Sequence, residues 1–272
     1  MAHLFQVGTG SGGMPVLDAV CRDERIRRVT LIEPDVYKPH NVERHLFPRS
    51  AVGANKADLA ERWLLERRPD LKIQALLCDL RDPKQQDRID DIAATADLGV
   101  CAADNEPAKY HWDALMRRHS KPWTLGEVLS GGIGGFVHVF VPGGPCYGCV
   151  ASRLQREIVV DRSPTPDYSQ PGGAVPETTI PASKASIQTI ASLHALVTLS
   201  LLDDPSAAAA DFTSLLLTLR QVPDVFEEAY RPYRFRVARS PDCLICGERS
   251  APSSPEELDV ALAEALARLG EK

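Results

Sequence analysis

No cysteine lies between Val150 and Asp242, although the chain of 272 residues has 7. That gap excludes a thiol nucleophile from a long central stretch. Ser163, Ser169, Thr178 and Thr179 do not replace one, because an alcohol is a much poorer nucleophile than a thiolate. A basic excess is also missing. The 31 Lys and Arg face 37 Asp and Glu, for a net charge of -6, so no sequence-independent grip on nucleic acid is expected. Long apolar runs are absent too: residues 187–202 are interrupted by Gln188, Thr189 and His194, so no membrane span is expected. The first residues lead into a glycine loop without the pattern of a secretory signal, and a cytoplasmic protein is expected. There is no internal repeat. With 44% hydrophobic and 25% charged residues, the composition suits a globular fold with a full core.

What the chain does have begins with two pairs of cysteines. Cys146-Tyr-Gly-Cys149 and Cys243-Leu-Ile-Cys246 are CxxC knuckles far apart in sequence. One knuckle aims two thiolates at a metal and leaves a tetrahedral zinc half coordinated; the second completes the set. Cys146, Cys149, Cys243 and Cys246 are therefore expected to hold a structural zinc ion, closed to chemistry. The alternatives are two unrelated pairs of buried thiols, or redox motifs, which would need two active sites. A reducing compartment favours zinc thiolates over disulfides.

The N-terminal half alternates strand and helix. Residues 4–7, 28–32, 72–77 and 98–102 suit strands, and 14–25, 56–68, 84–96 and 106–119 suit helices. This order predicts an α/β fold: a Rossmann-like, doubly wound, mostly parallel sheet, with the knuckles clamping a C-terminal extension. From Pro122 the pattern changes, and strands at 123–129 and 135–141 flank a glycine-rich bend. Residues 161–181 lack periodicity and predict a long functional loop. An apolar helix over 182–202 and strands at 215–222 and 234–238 follow. After a short linker, Leu258, Leu262, Leu266 and Leu269 mark an amphipathic helix.

Gly8-Thr-Gly10-Ser-Gly-Gly13 stands directly between the first strand and the first helix. Gly8 permits the tight turn, Gly10 lets a phosphate approach the backbone, and Gly13 lets helix and strand pack closely. The helix start then supplies the positive end for the phosphate. Glu33 ends the second strand, where an acid accepts ribose hydroxyls. That much also fits a nicotinamide dinucleotide. Asn41, Arg44 and Lys56 separate the options, because a triphosphate needs cationic partners. Asp104 closes the fourth strand, where an acid faces the ligand crevice and can hold Mg2+. Taken singly, Arg44 and Lys56 also fit surface ion pairs, and Asp104 a helix N-cap.

In order, Gly8-x-Gly10-x-x-Gly13, Glu33-x-Asp35, Asn41-x-x-Arg44, Gly53-x-x-Lys56, Asp104-Asn105 and the two knuckles resemble the ThiF/MoeB/ubiquitin-activating superfamily of adenylyltransferases. The resemblance implies an adenylation domain over 1–247, with a nucleotide-binding part at 1–121, a tail-binding and zinc part at 122–247, and a linker and helix at 248–272. It implies an enzyme that uses ATP and Mg2+ to adenylate the C-terminal carboxylate of a ubiquitin-like or sulfur-carrier protein. Gly8, Gly10, Gly13, Glu33 and Asp35 would hold the nucleotide, Asn41, Arg44 and Lys56 the phosphates, and Asp104 the magnesium. Arg44, Lys56 and Asp104 would carry catalysis. A homodimer is also implied.

Two departures qualify these expectations. The family's arginine in a helical segment before the first strand has no counterpart here, which leaves open a partner-dependent or non-catalytic subunit. The missing cysteine implies transfer of the adenylate to a thiol on a separate protein. An enzyme acting on a peptide or an RNA-linked carboxylate is a further alternative. A zinc-containing dehydrogenase would leave Asn41, Arg44, Lys56 and Asp104 together unexplained. The stretch Ser130-Gly-Gly-Ile-Gly134-Gly135 is expected to form either a bare groove for a Gly-Gly tail or a sheet bend.

Overall fold

The computed structural model describes residues 1–154 and 182–247. The expected loop at 161–181 and the expected C-terminal helix both fall wholly outside the described residues.

Eight strands form one sheet in the order β3-β2-β1-β4-β5-β6-β7-β8. Strands β1 (Ala2–Val7), β2 (Ile26–Ile32), β3 (Lys72–Leu76), β4 (Leu98–Cys101) and β5 (Trp123–Val128) run parallel. Strands β6 (Gly134–Phe140), β7 (Ser214–Thr218) and β8 (Pro232–Phe235) continue the sheet antiparallel. The parallel strands are joined by helices α1 (Gly13–Val20), α2 (Lys56–Leu65), α3 (Gln86–Thr95) and α4 (Glu106–Arg118). Helices α5 (Tyr147–Leu154), α6 (Lys184–Asp203) and α7 (Pro205–Asp211) belong to the second half. The expected mostly parallel α/β sheet is present.

Side-chain alternation on β1 shows how the sheet makes two cores. Leu4 faces a cluster with Met14, Leu17, Val137 and Ala191, and Phe5 and Val7 face another with Ile89, Trp112 and Trp123. Strand residues two apart share a face, so the central strand is apolar on both sides. Helix α6 is long and apolar enough to cross a membrane, but half of its apolar window is buried and it packs on α1, β5 and β6. It is a core helix of this sheet.

The order reverses between β1 and β4, so their C-terminal ends diverge and leave a crevice. The glycine loop leaves β1 there, and Asp104 follows β4. The glycine-rich bend after β5 has another use. A Cβ on Gly134 would lie 2.7 Å from the Leu217 carbonyl oxygen, and one on Gly135 would lie 2.6 Å from the Glu127 carbonyl oxygen and from Ile190. These glycines are paired residues at the start of β6 and let it pack between β5, β7 and α6. The space beside them is already filled by the protein itself.

Candidate functional site

The glycine loop is built and then braced. Gly8 has φ +87°, and a Cβ there would meet the Ala102 carbonyl oxygen at 2.6 Å. A Cβ on Gly13 would lie 2.3 Å from the Gly8 carbonyl oxygen, so the helix start closes tightly on the loop. A Cβ on Gly10 would meet nothing within 4 Å; this backbone is open to the crevice. Two buried side chains hold the turn from below. The Gln6 amide donates to the Gly8 and Gly13 carbonyls, both at 2.9 Å. His45 Nε2 lies 2.8 Å from the Thr9 carbonyl oxygen, while the Leu46 N–H donates to His45 Nδ1 at 3.0 Å. Because Nδ1 accepts, the ring proton sits on Nε2 and is donated to the loop. His45 thus ties the segment carrying Asn41 and Arg44 to the glycine turn.

Glu33 is buried and holds the loop from the second strand. It accepts from the Thr9 N–H at 2.7 Å and from the Asp35 N–H at 3.0 Å. Burial raises its pKa, opposed by the Thr9 amide and by Lys56.

The crevice is a cavity of about 590 Å³ lined by Gly10, Asp35, Asn41, Arg44, Lys56 and Asp104, among others. An adjoining space of about 360 Å³ shares Gly10, Asp35, Lys56 and Asp104 and reaches Gly8, Glu33, Asp79 and Leu80. Eight of the nine residues expected to bind nucleotide therefore line two connected spaces. The ninth, Gly13, serves helix packing and lines a smaller adjacent cavity.

Two details sharpen the sequence expectations. The side chain of Asn105 accepts from the Ala108 N–H at 3.0 Å and caps α4. Asp104 is therefore not the cap; it is exposed and faces the cavity. Lys56 does form an ion pair, 2.7 Å from Asp35, but inside the cavity wall rather than on the open surface. An ammonium has three donors, so this pairing leaves donors for a phosphate.

The far wall carries a network that sequence spacing did not reveal. Lys109, buried on α4, donates to Glu106 at 2.8 Å and also bonds Glu127 at the end of β5. Glu127 Oε2 lies 3.0 Å from His138 Nε2, and His138 Nδ1 lies 2.8 Å from Ser214 Oγ. Tyr147 donates to Glu106 at 2.8 Å. Burial would raise the Glu127 carboxyl, but His138 and Lys109 hold it down at about 2, so it is ionised. The network fixes the end of β5 where it borders the cavity. Helical spacing could have flagged the Glu106–Lys109 pair; Glu127 and His138 meet only through strand pairing.

The four knuckle sulfurs also converge. Their Sγ atoms all lie within 4.8 Å of one another, with neighbours at 3.4, 3.5 and 3.7 Å. Zinc–sulfur bonds of about 2.3 Å in a tetrahedron require edges of about 3.8 Å, and a disulfide requires about 2.05 Å. The arrangement fits a metal and excludes a bridge. Backbone N–H groups of Ser240 and Ile245 point at Cys149 and Cys243, as suits thiolates. Of the other thiols, Cys21 and Cys101 are fully buried, and burial pushes both up to about 12.

The ThiF family model matches residues 2–234. The chain belongs to the ThiF family. No curated protein matches it in sequence. Among solved structures, E. coli MccB with succinimide is similar at a TM-score of 0.67 and 18% identity, covering 91% of this chain and 66% of that one. E. coli MccB with ATP is similar at 0.65 and 18%, covering 90% and 67%. The microcin C7 biosynthetic enzyme MccB in complex with N-formylated MccA is similar at 0.65 and 17%, covering 90% and 67%. This ThiF-family chain therefore spans about two thirds of the length of those proteins, and at such identity the likeness is one of fold.

The braced loop has a pH signature. Burial lowers His45 to about 4, against an ordinary 6.5. The unfolded chain then binds the proton more readily between those values, so stability is complete above about pH 6.5 and falls as pH drops towards 4. His45 alone should contribute a loss on the order of 2 kcal/mol between pH 7 and pH 5. Thermal melting of the wild type and of His45→Gln across that range checks this. The variant keeps an amide donor without the titrating ring, so its melting temperature should fall less.

Proposed function

We propose that the protein adenylates the C-terminal carboxylate of a peptide or protein tail at the expense of ATP. The observation that carries this reading is the joining, in one crevice, of an open glycine-loop backbone, Arg44, Lys56 and Asp104. Family membership supports it, as does the similar fold of MccB, whose structures include complexes with ATP and with MccA. The adenosine would occupy the space beside Glu33, and the triphosphate would extend over Gly10 towards Lys56, Asn41 and Arg44. Asp104 is suited to hold Mg2+, which when bound would neutralise charge on the leaving pyrophosphate.

The chemistry asks little more of the protein. A carboxylate oxygen bonds to the α-phosphorus, the bond from that phosphorus to the bridging oxygen breaks, and pyrophosphate departs with the electron pair. A C-terminal carboxylate is ionised at neutral pH, so no base is needed. Positioning and charge neutralisation carry the displacement. The cations Lys38, Arg44 and Lys56 in the cavity wall would serve that end.

ATP–pyrophosphate exchange with candidate tails tests the reading, together with calorimetry. ATP with Mg2+ should bind and NAD should not. Tighter binding of NAD than of ATP would turn the assignment to a dinucleotide enzyme.

The tail belongs to a ubiquitin-like or sulfur-carrier protein, or to a peptide. Whichever it is, the adenylate should form without a thioester on this chain. No cysteine lies between Val150 and Asp242, and Cys101 is fully buried in β4. A non-reducing gel after incubation with tail and ATP should show no reductant-sensitive conjugate until a separate thiol protein is added. A conjugate mapping to Cys21, Cys78 or Cys101 would overturn this. The protein would work in the cytoplasm, where zinc thiolates persist, and as a homodimer if it follows the resemblance.

A further inference from the structure

A smaller cavity, about 50 Å³, opens off the large one. It shares Gly12, Ala102, Gly126, Val128 and Ile187 with it and runs on between α1 and α6. A buried water needs about 10–15 Å³ on this measure, so the space takes about three to four non-hydrogen atoms. Its inner wall is apolar, from Val16, Ile190 and Ala191, with one polar side chain, His194.

The protons around His194 can be assigned by counting donors. The Thr198 hydroxyl donates to the His194 carbonyl at 2.8 Å. Its single proton is thereby used, so in the 2.8 Å contact between the Thr124 and Thr198 hydroxyls, Thr124 is the donor. The proton of Thr124 is then used as well, so His194 Nε2, at 2.9 Å, must donate to Thr124. The ring is deeply buried, and burial lowers its pKa to about 3, so it is neutral and Nδ1 is an acceptor. Among the described residues no donor reaches Nδ1. Gly126 leaves it uncovered, since a Cβ there would lie 2.5 Å from Nδ1.

An apolar pocket of this size with one unmet acceptor complements a short side chain that ends in a donor. It lies beside Gly12 and Gly13, next to the backbone over which the reacting phosphate is placed by the reading above, and this inference rests on that reading. We propose that the pocket receives the side chain of the substrate's terminal residue and selects one of three or four non-hydrogen atoms carrying a hydroxyl or carboxamide donor. A glycine-terminated tail leaves both the space and the acceptor unfilled, so a peptide tail with a side chain at its end is the favoured substrate class.

The test is ATP–pyrophosphate exchange with randomised octapeptide pools that differ only in a fixed last residue: Gly, Val or Thr. Threonine and valine are nearly isosteric and differ in the donor. The Thr pool is expected to exceed the Val pool by at least about tenfold in kcat/KM, and the Gly pool by more. Ala191→Leu, which fills the space, should collapse the Thr-to-Gly ratio towards one. Melting and ATP calorimetry establish that this variant is folded. His194→Phe should lower the Thr-to-Val ratio. Equal exchange with all three pools, or an unchanged ratio in folded Ala191→Leu, would overturn the pocket assignment and leave adenylation standing. No exchange with any pool or with any protein tail, despite ATP binding, would overturn both.

Discussion

Replacing Asp104 with alanine is expected to lower ATP–pyrophosphate exchange by at least about 10²-fold, the scale seen when one electrostatic contact to a transition state is lost. The fold should survive. Asp104 is exposed, it makes no side-chain hydrogen bond among the described residues, and the cap of α4 belongs to Asn105. Loss of an N-cap alone would cost about 1 kcal/mol of stability, so melting should separate the roles. An Asp104→Ala protein with unchanged melting and lost exchange supports the catalytic role. Unchanged exchange would place the chemistry elsewhere. Asp104→Asn should behave like alanine, because the site asks for a negative charge and the amide keeps only the shape.

Cys146→Ser and Cys243→Ser should each bring bound zinc well below one equivalent and sharply reduce the folded yield. Apparent binding of structural zinc in zinc-finger peptides is worth about 10–16 kcal/mol of folding free energy, against a typical domain stability of about 5–15 kcal/mol. Here the clamp ties the start of α5 to the segment after β8, across 97 residues. Cys146, Cys149 and Cys246 are buried in the same cluster as Trp112 and Phe140, so the damage should reach that core. Metal analysis and limited proteolysis read the outcome, with Cys78→Ser as a cysteine variant outside the four-thiol group. A wild-type protein that proves metal-free and equally stable would remove the zinc assignment.

The glycine loop and the knuckles were legible because each needs residue types that little else demands. Gly8 must take a positive φ, Gly13 must leave room for a carbonyl, and four thiols in two CxxC pairs have one economical use. Arg44, Lys56 and Asp104 were picked out by order along a recognisable scaffold, and they line one cavity. Residue type alone left the glycines at 134 and 135 as either an open groove or a sheet bend; strand and helix neighbours lie where their Cβ atoms would be. His194 and His138 carried no signal at all, since an isolated histidine in an apolar stretch has no spacing that marks it.

The sequence by itself determined the parallel α/β order, the glycine loop at the first strand–helix turn and the convergence of the two knuckles. These follow from local periodicity, backbone sterics and the fixed valence of a metal, which act over short spans or on rare residue types. Only the tertiary structure decided which buried groups meet. Strand pairing puts Glu127 beside His138, and helix packing puts Lys109 beside Glu127 and His194 behind Gly126. Hydrogen bonds are directional and reach about 3 Å. Which partners come that close depends on register and packing across the whole sheet, and no local pattern along the chain carries that information.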